Sequence, residues 1–167
     1  IMTSYVENET EIELPFDMKD ILDKIMDAVM EMEKCPYETS VNLLLTDNEG
    51  IRYYNREYRD IDKETDVLSF PNIAFEKEGD FSHVEDAQAD CFDPDSGELL
   101  LGDIILSVDR IQEQSKEYEH SLLREFAFLT AHSMFHLCGY DHMVPEEATV
   151  MENKQEEILR KLGITRE

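Results

Sequence analysis

Three histidines near the end of the chain constrain its fold more than any other feature. His132 and His136 are four residues apart in a helical pattern, which places both imidazoles on one helix face with Cβ atoms roughly 5–6 Å apart. Gly139 follows and permits the left-handed turn at which many helices end. The chain can therefore reverse there and return His142 to the same point.

This arrangement indicates a metal site. Three neutral imidazoles and one open position are typical of a catalytic zinc centre rather than a structural one. Two core histidines with hydrogen-bonded ring nitrogens would explain His132 and His136 alone. They would not explain a third histidine after a glycine turn. Cys138 is either a further ligand or, as we favour, a small apolar core residue. Asp141 either orients an imidazole or caps the following turn.

Length, charge and cysteine content narrow the class of protein. The 167 residues fit one domain, no apolar run is long enough to span a bilayer, and Ile1–Phe16 has no hydrophobic signal core. Three widely separated cysteines do not suggest a disulfide framework, so a cytoplasmic location is the default prediction. The net charge of −25 opposes loose binding to nucleic acid, so an RNA partner has to meet a local basic patch.

Hydrophobic periodicity and turn residues predict the order of the elements. A first helix covers the apolar positions Met18–Met30, with an N-cap at Asp17 and a stop at Pro36. Four strands are predicted at Ser4–Asn8, Ser40–Thr46, Val67–Phe70 and Leu99–Leu106, the last interrupted at Gly102-Asp103. A turn is predicted at Asp47–Gly50, and further helices at Ile51–Arg59, Val108–Glu117, Leu122–Cys138 and Glu146–Leu162. This order indicates an α+β fold, a small mixed sheet with helices packed on it.

The acidic, turn-rich segment Glu76–Glu98 is interpreted as a solvated loop inserted in a single domain of residues 1–167.

A second candidate surface consists of four cations in an acidic chain. Their spacing of 4, 3 and 4 residues would align them in one basic ridge if a helix ran from Ile51 through Lys63. Tyrosines between them can stack on bases, and a guanidinium group can bind two phosphate oxygens at once. A solvated helix face with arginines paired to nearby carboxylates explains the spacing equally well. The predicted RNA-binding residues are Arg52, Arg56, Arg59 and Lys63.

The ligand spacing matches the metzincin protease pattern H-x-x-x-H-x-x-G-x-x-H with one departure. Those enzymes carry a general-base glutamate directly after the first histidine, where this chain has Ser133. A serine has neither the charge nor the basicity for that role, so peptide hydrolysis is disfavoured. A zinc ion can still activate water or polarise a phosphoryl oxygen, which phosphodiester cleavage requires.

Four blocks of the sequence, taken together, resemble the YbeY family of bacterial rRNA maturation factors. They are Arg124–Met143, Asn55–Arg59, Thr65–Pro71 and Leu101–Ile104, in the family's order and across nearly the whole chain. Two features depart from the family. Ser133 stands where the family usually has glycine, and the acidic segment looks longer than typical.

The resemblance implies one zinc ion held by His132, His136 and His142, and a functional arginine at Arg59 near the substrate phosphate. It implies a mixed four-stranded sheet with about five helices and a metal site at the C-terminal end of a central helix. It also implies a single-strand-specific endoribonuclease of the cytoplasm, active in 16S rRNA 3′-end maturation and ribosome quality control.

The implied partners are ribosomal RNA and the small ribosomal subunit with its proteins, with no membrane and no small-molecule substrate. Two other functions stay open at this point: a non-catalytic ribosome assembly factor with a structural metal, and a metallopeptidase. The attacking group, water or the RNA 2′-hydroxyl, is also open.

Overall fold

The computed structural model describes residues 2–87 and 89–164, and within them it contains one four-stranded sheet. The strands are β1 (Thr3–Asn8), β2 (Thr39–Thr46), β3 (Val67–Pro71) and β4 (Leu99–Ser107). The helices are α1 (Met18–Met32), α2 (Asn48–Arg59), the single turn α3 (Val84–Ala87), α4 (Val108–Glu117), α5 (Leu122–Leu137) and α6 (Pro145–Lys161). The predicted α+β fold with a mixed four-stranded sheet and about five helices is confirmed.

The sheet has the strand order β1-β2-β4-β3. Strands β1, β2 and β4 are parallel, and β3 runs antiparallel to β4 at one edge. The predicted interruption of β4 at Gly102 is wrong, because the strand continues through a local register shift. Gly102 has a φ of +150°, and a Cβ there would lie 2.4 Å from the carbonyl oxygen of Phe70. The glycine therefore permits close backbone approach instead of ending the strand.

Alternate residues of β2 face opposite sides of the sheet, as strand geometry requires. Val41, Leu43 and Leu45 enter the main core, which α1, α5 and α6 complete. Leu44 packs on the other side, in the small cluster beneath α2 that contains Ile51. Most residues of α5 are buried, so it is the central helix of the fold.

Helix α2 begins three residues before the predicted start at Ile51 and ends at the predicted residue, Arg59. The predicted turn at Asp47–Gly50 is wrong, because Asp47 is an N-cap whose carboxylate accepts a hydrogen bond from the Gly50 amide at 2.7 Å. At the other end, Asp60 adopts a left-handed conformation with a φ of 59° and ends the helix. The helix therefore stops at Arg59 and does not reach Lys63.

The acidic segment is partly organised by local backbone hydrogen bonds. It contains α3 and a 3-10 turn at Ala89–Cys91, followed by a tight turn in which the Asp93 amide donates to the Glu98 carbonyl at 2.8 Å. Its status as an insertion stays a prediction, as does the single domain. Ile1, Gln88 and residues 165–167 lie outside the described residues.

None of the helices in the described part of the chain has both the length and the apolar character that crossing a membrane requires.

Candidate metal centre

The end of α5 and the loop after it bring the histidines together. The helix ends at Leu137, and the Tyr140 amide then donates to the Phe135 carbonyl at 3.0 Å. Gly139 adopts a φ of +94°, and a Cβ there would lie 2.7 Å from the Cβ of Phe75. Both the backbone conformation and the close contact therefore require glycine, and the chain reverses at the predicted residue.

The three imidazoles converge on one point. The Nε2 atoms of His132 and His136 are 3.0 Å apart, and the His142 ring centroid lies 5.3 Å and 5.0 Å from those of His132 and His136. One nitrogen from each ring lies within 4.8 Å of the others, the sole cluster of this kind among the described residues. Tetrahedral zinc separates its nitrogen ligands by roughly 3.3 Å. The triad can therefore hold a metal ion after small side-chain adjustments.

Two of the rings have partners that fix their orientation. The Nδ1 atom of His132 lies 3.3 Å from the Oε1 atom of Gln155, and the Nδ1 atom of His136 lies 2.9 Å from the backbone oxygen of Tyr140. Both partners are hydrogen-bond acceptors, so each Nδ1 carries the proton and donates. The lone pairs of the two Nε2 atoms are then free for a metal, as in most histidine metal sites.

The protonation state of these rings also fits a metal. Burial lowers the pKa of His132. Burial, followed by the neighbouring His132 and His142, lowers the pKa of His136 to about 4. Both imidazoles are therefore neutral near pH 7, the form that binds metal ions.

Cys138 and Asp141 lie beside the histidines in sequence, and neither belongs to the ligand cluster. Cys138 is fully buried in the main core, and this burial raises the pKa of its thiol well above the ordinary value. It is the small core residue that we favoured. The carboxylate of Asp141 accepts a hydrogen bond from the His142 amide at 2.7 Å and lies 4.0 Å from the Nδ1 atom of the same histidine, so both of its predicted roles stay predictions. The ring of His136 is oriented by the carbonyl of Tyr140.

Ser133 does not crowd the metal site. Its side chain is fully buried, and its hydroxyl lies 2.5 Å from that of Ser69 on β3. It is absent from the residues that line the cleft above the histidines. The position that carries the general base in metzincins therefore holds a buried hydroxyl.

A cleft of about 650 Å³ opens above the triad. Its walls come from the end of α2, from β3 with its flanking residues, and from the loop that follows α5. The lining residues are Arg59, Thr65, Asp66, Val67, Ser69, Pro71, Ile73, Phe75, His132, His136, Gly139, Tyr140, Asp141, His142 and Met143. The cleft thus contains the whole triad, one cation and two carboxylates.

The predicted basic ridge does not exist as a unit, because α2 ends before Lys63. Arg52 binds Asp62, with 2.8 Å between Nε and Oδ1, and Lys63 follows the helix end. Of the four predicted cations, Arg59 alone lines the cleft. Among the described residues it forms no ion pair.

The other residues of α2 do not line this cleft. Arg56 lies 3.7 Å from a carboxylate oxygen of Glu57, and its guanidinium stands 5.6 Å from the ring centroid of Tyr53. Tyr54 and Tyr58 line a separate groove of about 580 Å³ on the α2 side of the sheet. The alternative interpretation, a solvated helix face whose arginines pair with nearby carboxylates, therefore describes Arg52 and Arg56 but not Arg59.

Sequence reasoning missed Gln155. It lies on α6 among the buried residues Met151, Ile158 and Leu159, and it is 1% exposed. Its Nε2 atom is buried and has no hydrogen-bond partner among the described residues. The sequence does contain a signal, because Gln155 is a polar residue at helical spacing within an apolar stripe. Its partner, His132, could not be found in this way because it lies 23 residues away in sequence.

Comparison with known proteins gives one consistent result. A family model described as Endoribonuclease YbeY matches residues 5–163. Three curated relatives carry the same name. Those from Lachnoclostridium phytofermentans and Agathobacter rectalis are 53% and 54% identical over 165 residues, covering 99% of this chain and 100% of each relative. The protein from Lachnospira eligens is 52% identical over 169 residues, with the same two coverages.

A solved structure is similar in fold. The solution structure of a protein from Thermotoga maritima matches with a TM-score of 0.54 and 20% identity, covering 96% of this chain and 91% of that one. At this identity the likeness concerns the fold alone.

Proposed function

The chain belongs to the YbeY family of endoribonucleases, and we propose from this premise that it is a zinc-dependent endoribonuclease specific for single-stranded RNA. Its proposed role is maturation of the 16S rRNA 3′ end and ribosome quality control, in the cytoplasm. Its proposed partners are ribosomal RNA and the small ribosomal subunit with its proteins. We expect no membrane and no small-molecule substrate.

The observation that carries this proposal is the convergence of His132, His136 and His142 in a cleft that Arg59 also lines. Three neutral nitrogen ligands leave a coordination position open, which catalysis requires and a structural site does not. The Arg59 guanidinium, which forms no ion pair within residues 2–87 and 89–164, supplies positive charge in a molecule whose net charge is −25. A phosphate group can therefore approach here despite the acidic surface.

Each residue of the cleft has a defined task in this proposal. When bound, zinc supplies Lewis acidity for the scissile phosphate. Arg59 binds the non-bridging phosphate oxygens and offsets their charge. Gln155 and the Tyr140 carbonyl hold the imidazoles in the ligating tautomer. Asp66 and Asp141 are the carboxylates of the cleft, available to accept a proton from the attacking hydroxyl.

The alternative is a non-catalytic assembly factor with a structural metal. It calls for a closed coordination sphere, and the natural fourth ligand would be Cys138. That thiol is buried in the core and lies outside the ligand cluster. A metallopeptidase is disfavoured for a different reason, since buried Ser133 replaces the required carboxylate.

Strand selectivity and metal removal together test the proposed function. The substrate is one RNA sequence, presented single-stranded and as a duplex. We expect cleavage of the single strand to be at least about tenfold faster, because the bases and backbone of a duplex are held in A-form geometry. A chelator should abolish cleavage, and added zinc should restore it. Full activity after metal removal, verified by elemental analysis, would refute the zinc-dependent reaction.

A further inference from the structure

A cluster of three polar side chains lies behind the loop that carries His142. Glu33 caps the end of α1, Lys154 comes from α6, and Tyr140 belongs to the loop. The Lys154 ammonium donates to the Glu33 carboxylate at 2.9 Å and lies 5.1 Å from the ring centroid of Tyr140. The Tyr140 hydroxyl lies near the same carboxylate, because a Cβ built on Gly79 would approach both that hydroxyl and the Oε1 atom of Glu33. We call Glu33, Tyr140 and Lys154 the Glu33 cluster.

The cluster is largely shielded from water. The Glu33 side chain is 3% exposed and that of Lys154 is 26% exposed. A buried ion pair of this kind adds little net stability, because desolvation offsets most of the attraction. Its directional hydrogen bonds can nevertheless define the position of the tyrosine between them. We therefore assign to this cluster a role in fixing the geometry of the loop, and not a large contribution to stability.

The segment after β3 closes the cluster from outside. The Gly79 amide donates to the Cys138 carbonyl at 2.9 Å. A Cβ at Gly79 would lie 2.5 Å from the Oε1 atom of Glu33 and 3.1 Å from the Tyr140 hydroxyl, and its φ is +72°. A side chain at this position would therefore strain the backbone and displace the carboxylate of Glu33. The start of the acidic segment is thus packed against the loop that carries the third histidine.

Tyr140 connects this cluster to the metal ligands. Its carbonyl accepts the hydrogen bond from the Nδ1 atom of His136 at 2.9 Å, while its ring packs against the Lys154 ammonium, which is itself bound to Glu33. His142 follows two residues later and is more than half exposed, and its amide bonds to the adjacent Asp141. The position of His142 therefore depends on where the chain leaves Tyr140.

We propose that Glu33, Lys154 and Gly79 are positioning residues that act through Tyr140 to fix His142 and the ring of His136. In this way they set the affinity and geometry of the metal site. This inference rests on the metal centre proposed above, and it assigns a role to residues that touch neither the metal nor the RNA.

The first test is Tyr140→Phe, which removes one hydroxyl and keeps the ring. The matched control is Tyr5→Phe, because Tyr5 is exposed on β1 and lies outside the cleft. Three quantities are measured: zinc affinity by chelator competition, the visible absorption spectrum of the cobalt-loaded protein, and the melting temperature of the metal-free protein. We expect Tyr140→Phe to weaken zinc binding by about tenfold, as loss of outer-shell partners does elsewhere, and to alter the cobalt spectrum. The control should match the wild type.

The second test removes the charge pair as a unit. The double variant Glu33→Gln, Lys154→Met leaves no unpaired buried charge, and it should reproduce the loss of zinc affinity. The conservative Lys154→Arg variant should retain most of the affinity, since it keeps a cation beside Glu33.

Wild-type affinity and an unchanged cobalt spectrum in Tyr140→Phe would overturn the positioning role. The positioning role would also be overturned if zinc affinity fell only in proportion to a loss of stability of the metal-free protein. A wild-type protein that binds no stoichiometric metal would instead overturn the proposed metal centre, and the positioning role with it.

Discussion

The two sides of the cleft are built in different ways. The histidines stand at the end of α5, a helix buried on most sides, and two of the imidazoles have a partner from elsewhere in the chain. The arginine stands at the end of α2, an exposed helix that stops at Arg59. Spacing along the buried helix predicted a real convergence, whereas spacing along the exposed helix predicted a ridge that the structure does not contain.

This difference follows from what holds each side chain. A buried helix is fixed by its packing, so residues four apart remain on one face. An exposed helix end is decided by local competition, here by the left-handed Asp60 and by Asp62, which binds Arg52. Arg59 remains without such a partner among the described residues, and its flexible side chain can adjust to a phosphate.

The largest effect that sharpens this comparison is expected from charge reversal at two arginines of the predicted ridge, one that lines the cleft and one that does not. Arg59→Glu should lower RNA cleavage by on the order of 100-fold, because a carboxylate would replace the cation that offsets developing phosphate charge. Zinc content should stay unchanged. Arg52→Glu is the matched control and should keep cleavage within about threefold, since exposed charges away from the site contribute little. Cleavage rates and zinc content of both proteins measure this.

Equal losses in the two variants would restore the ridge as a functional unit. Full activity of Arg59→Glu would remove the assigned role of Arg59.

The histidine side can be tested at Gln155. Gln155→Leu should weaken zinc binding by roughly tenfold, because His132 loses the acceptor that fixes its tautomer. Gln155→Glu should strengthen binding, since a carboxylate is a better acceptor for the Nδ1 proton. Asn153→Leu, at an exposed position of the same helix, is the control. Unchanged affinity in Gln155→Leu, measured by chelator competition, would contradict an orienting role.

Helix caps and turns were predictable where neighbouring residues in the sequence determine them. Asp17 caps α1 as its sequence context indicates, and Gly139 makes the turn that its neighbours require. The sequence predicts a turn at Asp47 because the same residue types open helices and form turns. Gln155 could not be assigned to His132, since nothing local indicates which helix α6 packs against. The sequence thus failed to predict one helix start, where local signals are ambiguous, and the long-range contact between α6 and His132.

A smaller effect is expected at Ser133, the buried residue directly after the first histidine of the triad. Ser133→Ala removes its hydrogen bond with Ser69, so we expect a loss of about 1 kcal/mol in the free energy of unfolding. Zinc affinity should change by less than about threefold, because the hydroxyl does not face the ligands. Denaturant unfolding and chelator competition measure the two quantities. A large loss of zinc with normal stability would place Ser133 in the metal site.

The smallest effect is expected at Lys63, the last residue of the predicted ridge. Lys63→Ala should change cleavage by less than about twofold, because the residue lies past the helix end and outside the residues that line the cleft. Its rate should be compared with that of the wild type at two salt concentrations. A loss that is larger at low salt and shrinks as the salt concentration rises, as expected for a phosphate contact, would return Lys63 to the RNA-binding surface.

The most direct test of the metal centre is cleavage of precursor small-subunit rRNA by the wild type and by His136→Ala, purified identically. Zinc content and circular dichroism are recorded for both proteins. The account predicts about one zinc per chain and cleavage for the wild type, and a folded variant that has lost both. Equal cleavage by the two proteins would contradict it, and would leave the assembly-factor function as the better explanation.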